Sequence, residues 1–505
     1  MRKSVTLLLI IIFLIATSVA ISLPVKAEPK TIIVPDDYPT ITEAIENAAD
    51  GDRIFIKNGT YDEKTLETNK TLSLIGEGAE LTKINLHPQS HQKTIEENGM
   101  NGYYVENITV WDASIVIYAN ETTISGITIS SFGEASIVGD RVQVIKSNIT
   151  VPMLSIHGSW SNIVENKLTT LIASGSHSRI EENNANALHI SGSHLIISKN
   201  TALGTIGVNG EYCRVSANTA LGIRDSYGIT TFGEGTIWLN GSYCEISSNN
   251  VKGISIEASS CFVHNNSVTE DKNDGWGNIA GNGNIIANNL FDHLAYGIKL
   301  SGSNNLVYAN RITRNGEGLV ESGKSNIIYA NYIANNAWGV DTGYLGITAI
   351  LYNNNFVNNR FQVSTTFSSY PDDFFDNGSV GNYWSDYNGT DADSDGIGDI
   401  PYVIDSTRSD RYPLISPFNI DSIVLSSPEW IANLPTPQPL PTLPPFPSST
   451  PPPSPRASPS SPQETRSFPT ATVAAVSGIS AVVVVGAVLM MYLKKRKHQT
   501  GTVKV

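Results

Sequence analysis

Apolar and polar positions through the middle of the chain repeat against a recurring asparagine. With Asn166 as origin, Asn183, Asn200, Asn218, Asn249, Asn266, Asn288, Asn310, Asn331 and Asn354 follow at steps of 17, 17, 18, 31, 17, 22, 22, 21 and 23 residues. Three residues before them stand Ile163, Ile180, Ile197, Val215, Ile246, Val263, Ile285, Val307, Ile328 and Leu351. Two residues after stand Leu168, Ala185, Ala202, Ala220, Val251, Val268, Leu290, Ile312, Ile333 and Phe356. Apolar residues at fixed offsets, with polar ones between, predict short strands separated by turns. One such coil cannot bury its apolar side alone. Stacked coils can, each pairing in parallel with the next at ~4.8 Å, so the pattern predicts an all-β parallel β-helix whose irregular steps reflect loops of varying length. The asparagine tolerates the left-handed angles of a tight turn and can hydrogen-bond its equivalent one coil away. Weaker matches at Asn107, Gly126 and Asn148 extend the solenoid toward the N-terminus.

A solenoid needs capped ends. Thr40-Ile41-Thr42-Glu43 is a capping box, Ile41, Ala44, Ile45 and Ala48 share one helical face, and Gly51 stands where the helix should stop. A short N-terminal capping helix follows, then a strand over Arg53 to Ile56.

The two termini predict membrane signals. Arg2 and Lys3 precede the apolar run from Leu7 to Ile15, and Val25-Lys26-Ala27 offers a processing site, so 1–27 reads as a cleaved signal peptide. Residues 471–493 hold an apolar stretch, uncharged from Val473 to Leu493, long enough for a single transmembrane helix. Lys494-Lys495-Arg496-Lys497 follows, which places the 494–505 tail in the cytoplasm and the rest outside. Between lies a linker and stalk, 419–470, with 14 of the 25 prolines at 435–469, the composition of an extended polyproline II spacer. The expectation is a cell-membrane protein with an extracellular or periplasmic ectodomain over 28–418.

Composition and charge sharpen this plan. The 505 residues include 46 Asn and 41 Gly but only 16% charged residues, which suits many tight turns, while 40% hydrophobic content is enough for a long core. The formal charge is −14, and because the first 27 and last 12 residues hold eight bases and no acids, the segment between carries −22. Such a surface repels phosphate backbones and excludes nucleic acid as a partner.

The run Ile33-Val34-Pro35, Tyr38, Ile41, Ala44-Ile45, Gly51-Asp52, Ile54, Ile56 and Gly59-Thr60-Tyr61 resembles the opening of pectin-lyase-like right-handed parallel β-helix proteins. The repeats resemble the carbohydrate-binding and sugar-hydrolysis class, most closely its NosD-like branch. The closing stretch 376–418, with Gly381-Asn382-Tyr383-Trp384-Ser385-Asp386-Tyr387, Asp391 through Asp399, Pro401-Tyr402 and Asp410-Arg411-Tyr412-Pro413-Leu414, is similar to the end of many NosD-like domains. The resemblance implies a periplasmic or archaeal-type surface β-helix, and, through its namesake, an accessory role in copper-site maturation.

Several side-chain groups carry candidate chemistry. Asp391, Asp393, Asp395 and Asp399 alternate before and after Gly396 and can converge on Ca²⁺, although Tyr402 stands where an EF-hand needs glutamate, leaving Asp386 or Asp405 to complete the set. Cys213, Cys244 and Cys261 each lie five residues before an anchor, with inward parity, and read as a buried ladder before a disulfide or a copper site. With Met100 and Met153 alone in the mature ectodomain, Met-rich Cu(I) chemistry is lacking. Trp160, His177, His194, Tyr212 and Tyr243 lie six before an anchor, with outward parity, and form a row able either to stack on sugar rings or to reinforce the sheet. Insertions at Leu221–Gly235 (Arg224, Asp225, Glu234) and Thr269–Gly283 (Glu270, Asp271, Asp274) are candidate loops over a groove, yet no carboxylate pair repeats on neighbouring coils. The leading expectation is a non-catalytic surface β-helix binding a glycan or an envelope protein. The alternatives are a NosD-like copper-maturation accessory and a polysaccharide lyase or hydrolase.

Overall fold

A computed structural model describes residues 28–99, 102–222, 235–270, 275–342, 348–364 and 374–436. The expected signal peptide, transmembrane helix, basic tail and nearly all of the stalk lie outside these residues. No helix among the described residues is long and apolar enough to cross a membrane.

The described chain is a parallel β-solenoid. A first sheet stacks 15 strands, from Thr31–Val34 to Thr348–Tyr352, and a second sheet of 27 strands holds the other two strands of each coil. In a typical coil Arg179–Glu181 lies in the first sheet, Asn184–Ala185 in a short column of the second, and Ala187–Ser191 in a long column. Each strand pairs in parallel with its counterpart one coil on, as Ile180 with Ile197 and Leu188 with Ile206. The expected aliphatic positions form the core: Ile163, Ile180, Ile197, Val215, Ile246, Val263, Val307, Ile328 and Leu351 are all fully buried.

The asparagine ladder is continuous from Asn166 to Asn382, with a correction of one residue at its centre. In every coil the Asn Oδ1 accepts the backbone N–H and the side-chain Nδ2 of the preceding ladder Asn, and its own Nδ2 donates to a carbonyl one coil back, as for Asn183, Asn200 and Asn218. Asn289, not Asn288, is the rung between Asn266 and Asn310. Accordingly Ile286 and Phe291 are the buried neighbours, while Ile285 and Leu290 are only part-buried. A one-residue slip exchanges the two faces of a strand. The left-handed angle also belongs to the residue before the ladder Asn: Glu165, Glu182, Lys199, Ala217 and Asn288 have φ of 58, 56, 56, 55 and 53°. Asparagine suits both positions for different reasons, so an Asn-Asn doublet is ambiguous by sequence.

The N-terminal end closes as expected, with helix α1 (Ile41–Asn47) lying between Thr31–Val34 and Arg53–Ile56 in the chain. Thr40 Oγ1 accepts the Glu43 N–H at 3.1 Å, and the Glu63 carboxylate accepts the Ile41 N–H and the Thr42 hydroxyl, both at 2.6 Å. These bonds satisfy donors that a helix start leaves unpaired. Asn107 is not a coil position: it lies in an antiparallel hairpin, Ser90–Gly99 with Gly102–Trp111. Gly126 and Asn148 flank the true ladder positions, since Ser147 N–H donates to Asn166 Oδ1 and Ile127 N–H to Ser147 Oγ.

At the C-terminal end Tyr383–Trp384 adds one more strand beside Asn355–Val357. The buried Trp384 ring stacks on Phe356 and on Tyr402, each at 4.4 Å and 8°. Asp410 ends the asparagine ladder: its fully buried carboxylate accepts from Asn382 N, Tyr412 N and Trp384 Nε1 at 2.7, 3.0 and 2.8 Å. Residues 419–436, expected as the beginning of a free linker, instead run back along the first sheet. Asn355 exchanges hydrogen bonds with Phe418, Arg311 pairs with Asp421, and Arg214 Nε donates to the Pro435 carbonyl. Ile423, Leu425, Trp430 and Ile431 cover Phe262, Ala287, Tyr308 and Ala309.

Candidate ligand-binding face

Trp160, His177, His194, Tyr212 and Tyr243 stand on consecutive coils, in a turn rather than a strand. Their φ angles are 63, 61, 58, 56 and 57°, all in the left-handed region, and none of the five side chains is buried. The rings close on one another face to face, at 4.2, 4.8, 5.3 and 5.2 Å with interplanar angles of 12, 6, 20 and 5°. Trp430 of the returning segment meets Tyr243 edge-on at 5.9 Å. Each stacked pair is worth ~0.5–1.5 kcal/mol, which offsets part of the ~1–2 kcal/mol cost of each left-handed L-residue. The faces of the inner rings are taken by their neighbours. What the row offers solvent is ring edges and, at the exposed Trp160, one terminal face.

The column beside it holds the cysteines. Cys213, Cys244 and Cys261 are buried free thiols in a column that holds Ser161, Ser178 and the apolar Leu195 below them and Asn284, Asn305 and Asn326 above. Cys244 Sγ accepts the Cys213 N–H at 3.3 Å, and Cys213, Cys244 and Cys261 reach the Gly192, Gly210 and Gly241 carbonyls at 3.6, 3.2 and 3.4 Å. The neighbouring Cys244 thiol and burial push the Cys213 thiol up. The three thiols serve as hydrogen-bonding rungs.

The acidic loop brings carboxylate oxygens of Asp391, Asp393 and Asp395 within 4.8 Å of one another. Asp391 also accepts from the Asp395 and Gly396 N–H groups at 3.2 and 2.9 Å, and Ser394 and Gly396, with φ of 61 and 89°, turn the chain. Asp399 points elsewhere, accepting from Thr390 Oγ1 and Ala392 N. Asp386 accepts from Gln362 and Tyr402, and Asp405 from Arg408, so neither completes the set. Of the two insertions, residues 223–234 and 271–274, with Arg224, Asp225, Glu234, Asp271 and Asp274, lie outside the described residues. Glu270 is buried against Lys252 at 2.9 Å.

A further feature has no signal in the repeat register. On the outer side of the long column, Ile172, His189, Gly207 and Trp238 occupy one position on four consecutive coils. Glycine leaves a gap between the imidazole and the indole, and the resulting groove of about 300 Å³ is lined also by Ile190, Ser191, Thr205 and Asn209. A Cβ at Gly207 would lie 3.4 Å from His189 Nδ1 and 4.0 Å from Trp238, ordinary contacts, so a small side chain would fit there without a clash. Burial lowers the His189 pKa, keeping the ring neutral. A mostly apolar groove with two ring walls and a few hydroxyl and amide groups is suited to a ligand with flat apolar faces and polar edges.

Residues 227–382 match the family described as the right handed beta helix region. Among solved structures the chain is similar to a mutant of the PL6 family alginate lyase AlyGC (14% identity, TM-score 0.36, 72% of this chain and 52% of that one). It is similar also to a mannuronic acid specific polysaccharide family 6 lyase from human gut microbiota (12%, 0.33, 70% and 86%). A third is the catalytic domain of a GH87 alpha-1,3-glucanase (13%, 0.29, 70% and 69%). The chain thus spans about half the length of the first of these. No curated protein matches it.

Proposed function

We propose that this β-solenoid is a non-catalytic glycan-binding protein held at the cell surface. The observation that carries the reading is the groove at Gly207, where His189 and Trp238 stand one coil to either side. A pyranose ring seated there presents its C–H faces to the two rings and its hydroxyls to Ser191, Thr205 and Asn209, the polar groups of the lining. The leader-like and apolar terminal segments support an ectodomain held outside the membrane on the proline-rich stalk. In the acidic loop, Asp391, Asp393 and Asp395 form a hard oxygen site of the kind Ca²⁺ takes, and the proposed role of the ion is to fix the closing segment. A glycan array with the full-length chain tests the main reading. Binding should be lost in Trp238→Ala and in Gly207→Leu, which fills the gap. Release of new reducing ends or unsaturated products from a bound glycan would overturn the non-catalytic part, and retention by both variants would overturn the site.

A further inference from the structure

We propose that the same face carries a second ring-binding slot at Glu317, five coils beyond the first, and that one neutral glycan strand occupies both. The inference rests on the reading of the Gly207 groove and adds the length and charge class of its ligand.

Trp276, Tyr296, Glu317, Trp338 and Phe361 occupy one position on five consecutive coils of the long column. Aromatic residues that follow each other stack at several places on this solenoid: Tyr308 with Tyr329 at 5.2 Å, Tyr329 with Tyr352 at 5.3 Å, Trp338 with Phe361 at 6.0 Å. At Glu317 the row is interrupted. Tyr296 and Trp338 are therefore two coils apart, ~9.6 Å, which leaves the place of one ring at stacking distance from both. Each is 38% exposed, so the place opens to solvent. The arrangement is that of His189, Gly207 and Trp238, with a carboxyl in place of glycine at the gap.

The surroundings define the ligand's charge. Lys299 lies 5.8 Å from the Tyr296 centroid and Arg360 5.3 Å from that of Phe361. Burial, then the nearby Asp341, raise the Glu317 pKa, with Lys299 acting against them. Two cations and two carboxyl groups give the slot no net charge, on a chain whose formal charge is −14. A polyanion gains nothing here against that background and a polycation finds no excess of acid, whereas hydroxyls can both donate to Glu317 and Asp341 and accept from Lys299. Between the slots the face carries Ser255, Asn278 and Lys299 in register, with Asn278 Nδ2 donating to Ser255 Oγ at 3.2 Å. An extended glycan crossing them meets hydrogen-bonding groups along its path.

Five coils separate the slots by ~24 Å along the axis, so a linear oligomer engages both only from roughly five sugar units upward, when the second contact becomes intramolecular. The test is calorimetry of the full-length chain with cello-, laminari- and manno-oligosaccharides of roughly two to eight units. Affinity for one series should climb at least ~10-fold between about four and six units. Glu317→Tyr supplies the missing rung: it should abolish the climb, keep short-oligomer binding and leave the melting temperature equal or higher. Trp338→Ala, which opens one wall, should abolish the climb by a different change. Short-oligomer binding with no climb, or a climb that survives both variants, overturns the second slot alone. Absence of binding at every length overturns the glycan reading and this inference with it.

Discussion

The ladder assignment at Asn289 makes the sharpest quantitative prediction. Its side chain makes four hydrogen bonds: Nδ2 donates to the Val263 carbonyl and to Asn310 Oδ1, and Oδ1 accepts from the backbone N–H and Nδ2 of Asn266. Asn289→Ala removes all four. Asn310 Oδ1 still accepts from the Asn289 N–H, and Asn266 Nδ2 still donates to the Ile246 carbonyl. The Asn266 N–H and the Val263 carbonyl lose their ladder partner in a buried turn, at ~1–3 kcal/mol each, so the expected loss is about 4 kcal/mol. Asn288 differs by one position and by everything that matters. It is the left-handed residue, φ 53°, and its side chain makes one exposed bond to Asn265. Asn288→Gly keeps the backbone at ease and should cost no more than ~1 kcal/mol. Urea unfolding followed by circular dichroism gives both values. Hydrogen exchange should place the Asn289→Ala loss in the adjoining coils, because a solenoid is held by nearest-neighbour contacts. Equal costs for the two variants, or a cost under ~1 kcal/mol for Asn289→Ala, would refute the ladder argument.

Three other outcomes follow from the closing segment and the stacks. Burial raises the Asp410 pKa from 3.8 to about 6, so its contribution is fully present below pH 4 and is lost as pH rises through 6, about 3 kcal/mol in all. Asp292 and Asp405 work in the opposite sense: although burial pushes them up, hydrogen bonds from Arg314, Thr313 and His293 and from Thr407 and Arg408 hold them at about 2, and that stability is lost as pH falls from 4 through 2. Melting temperature should therefore peak near pH 4–5, and the fall between pH 4 and 7 should disappear in Asp410→Asn; a profile with the same fall in both proteins would exclude the assignment. Millimolar Ca²⁺ should raise the melting temperature of the full-length chain and a chelator should reverse it, with Asp393→Asn insensitive to both; an unresponsive parent removes the ion site. Finally, His194→Gly relieves the left-handed angle but removes a ring with two stacked partners, so it should lower stability by about 1 kcal/mol, and an unchanged or raised melting temperature would count against the stack.

Much of this molecule could be read from residue spacing because a solenoid is a nearly one-dimensional object. Its contacts join equivalent positions one coil apart, so Ile180 and Ile197, Asn183 and Asn200, or Cys244 and Cys261 are neighbours both in the repeat and in space. The register failed where one residue type serves two adjacent jobs, as at Asn288 and Asn289, and where an inserted hairpin mimics a coil, as at Asn107. Counting strand parity put the Trp160 row outside, correctly, but could not show that the chain there turns through positive φ and closes the ring faces on one another.

The sequence by itself determined the parallel solenoid, its capping helix and most of its aliphatic core, since all of these depend on local periodicity. The tertiary structure alone decided what lies between columns or crosses them. The gap at Gly207 exists only because His189 and Trp238 flank it, 18 and 31 residues away. Asp410 terminates the ladder of Asn382 across 28 residues, and the returning segment brings Pro435 to Arg214 across 221. The separations of 18, 31 and 28 residues are coil steps like those of the ladder, but the steps do not say which side chains flank one another. Which ones do is set by how coils of unequal length stack, and that stacking is a property of the packed core, not of any single coil.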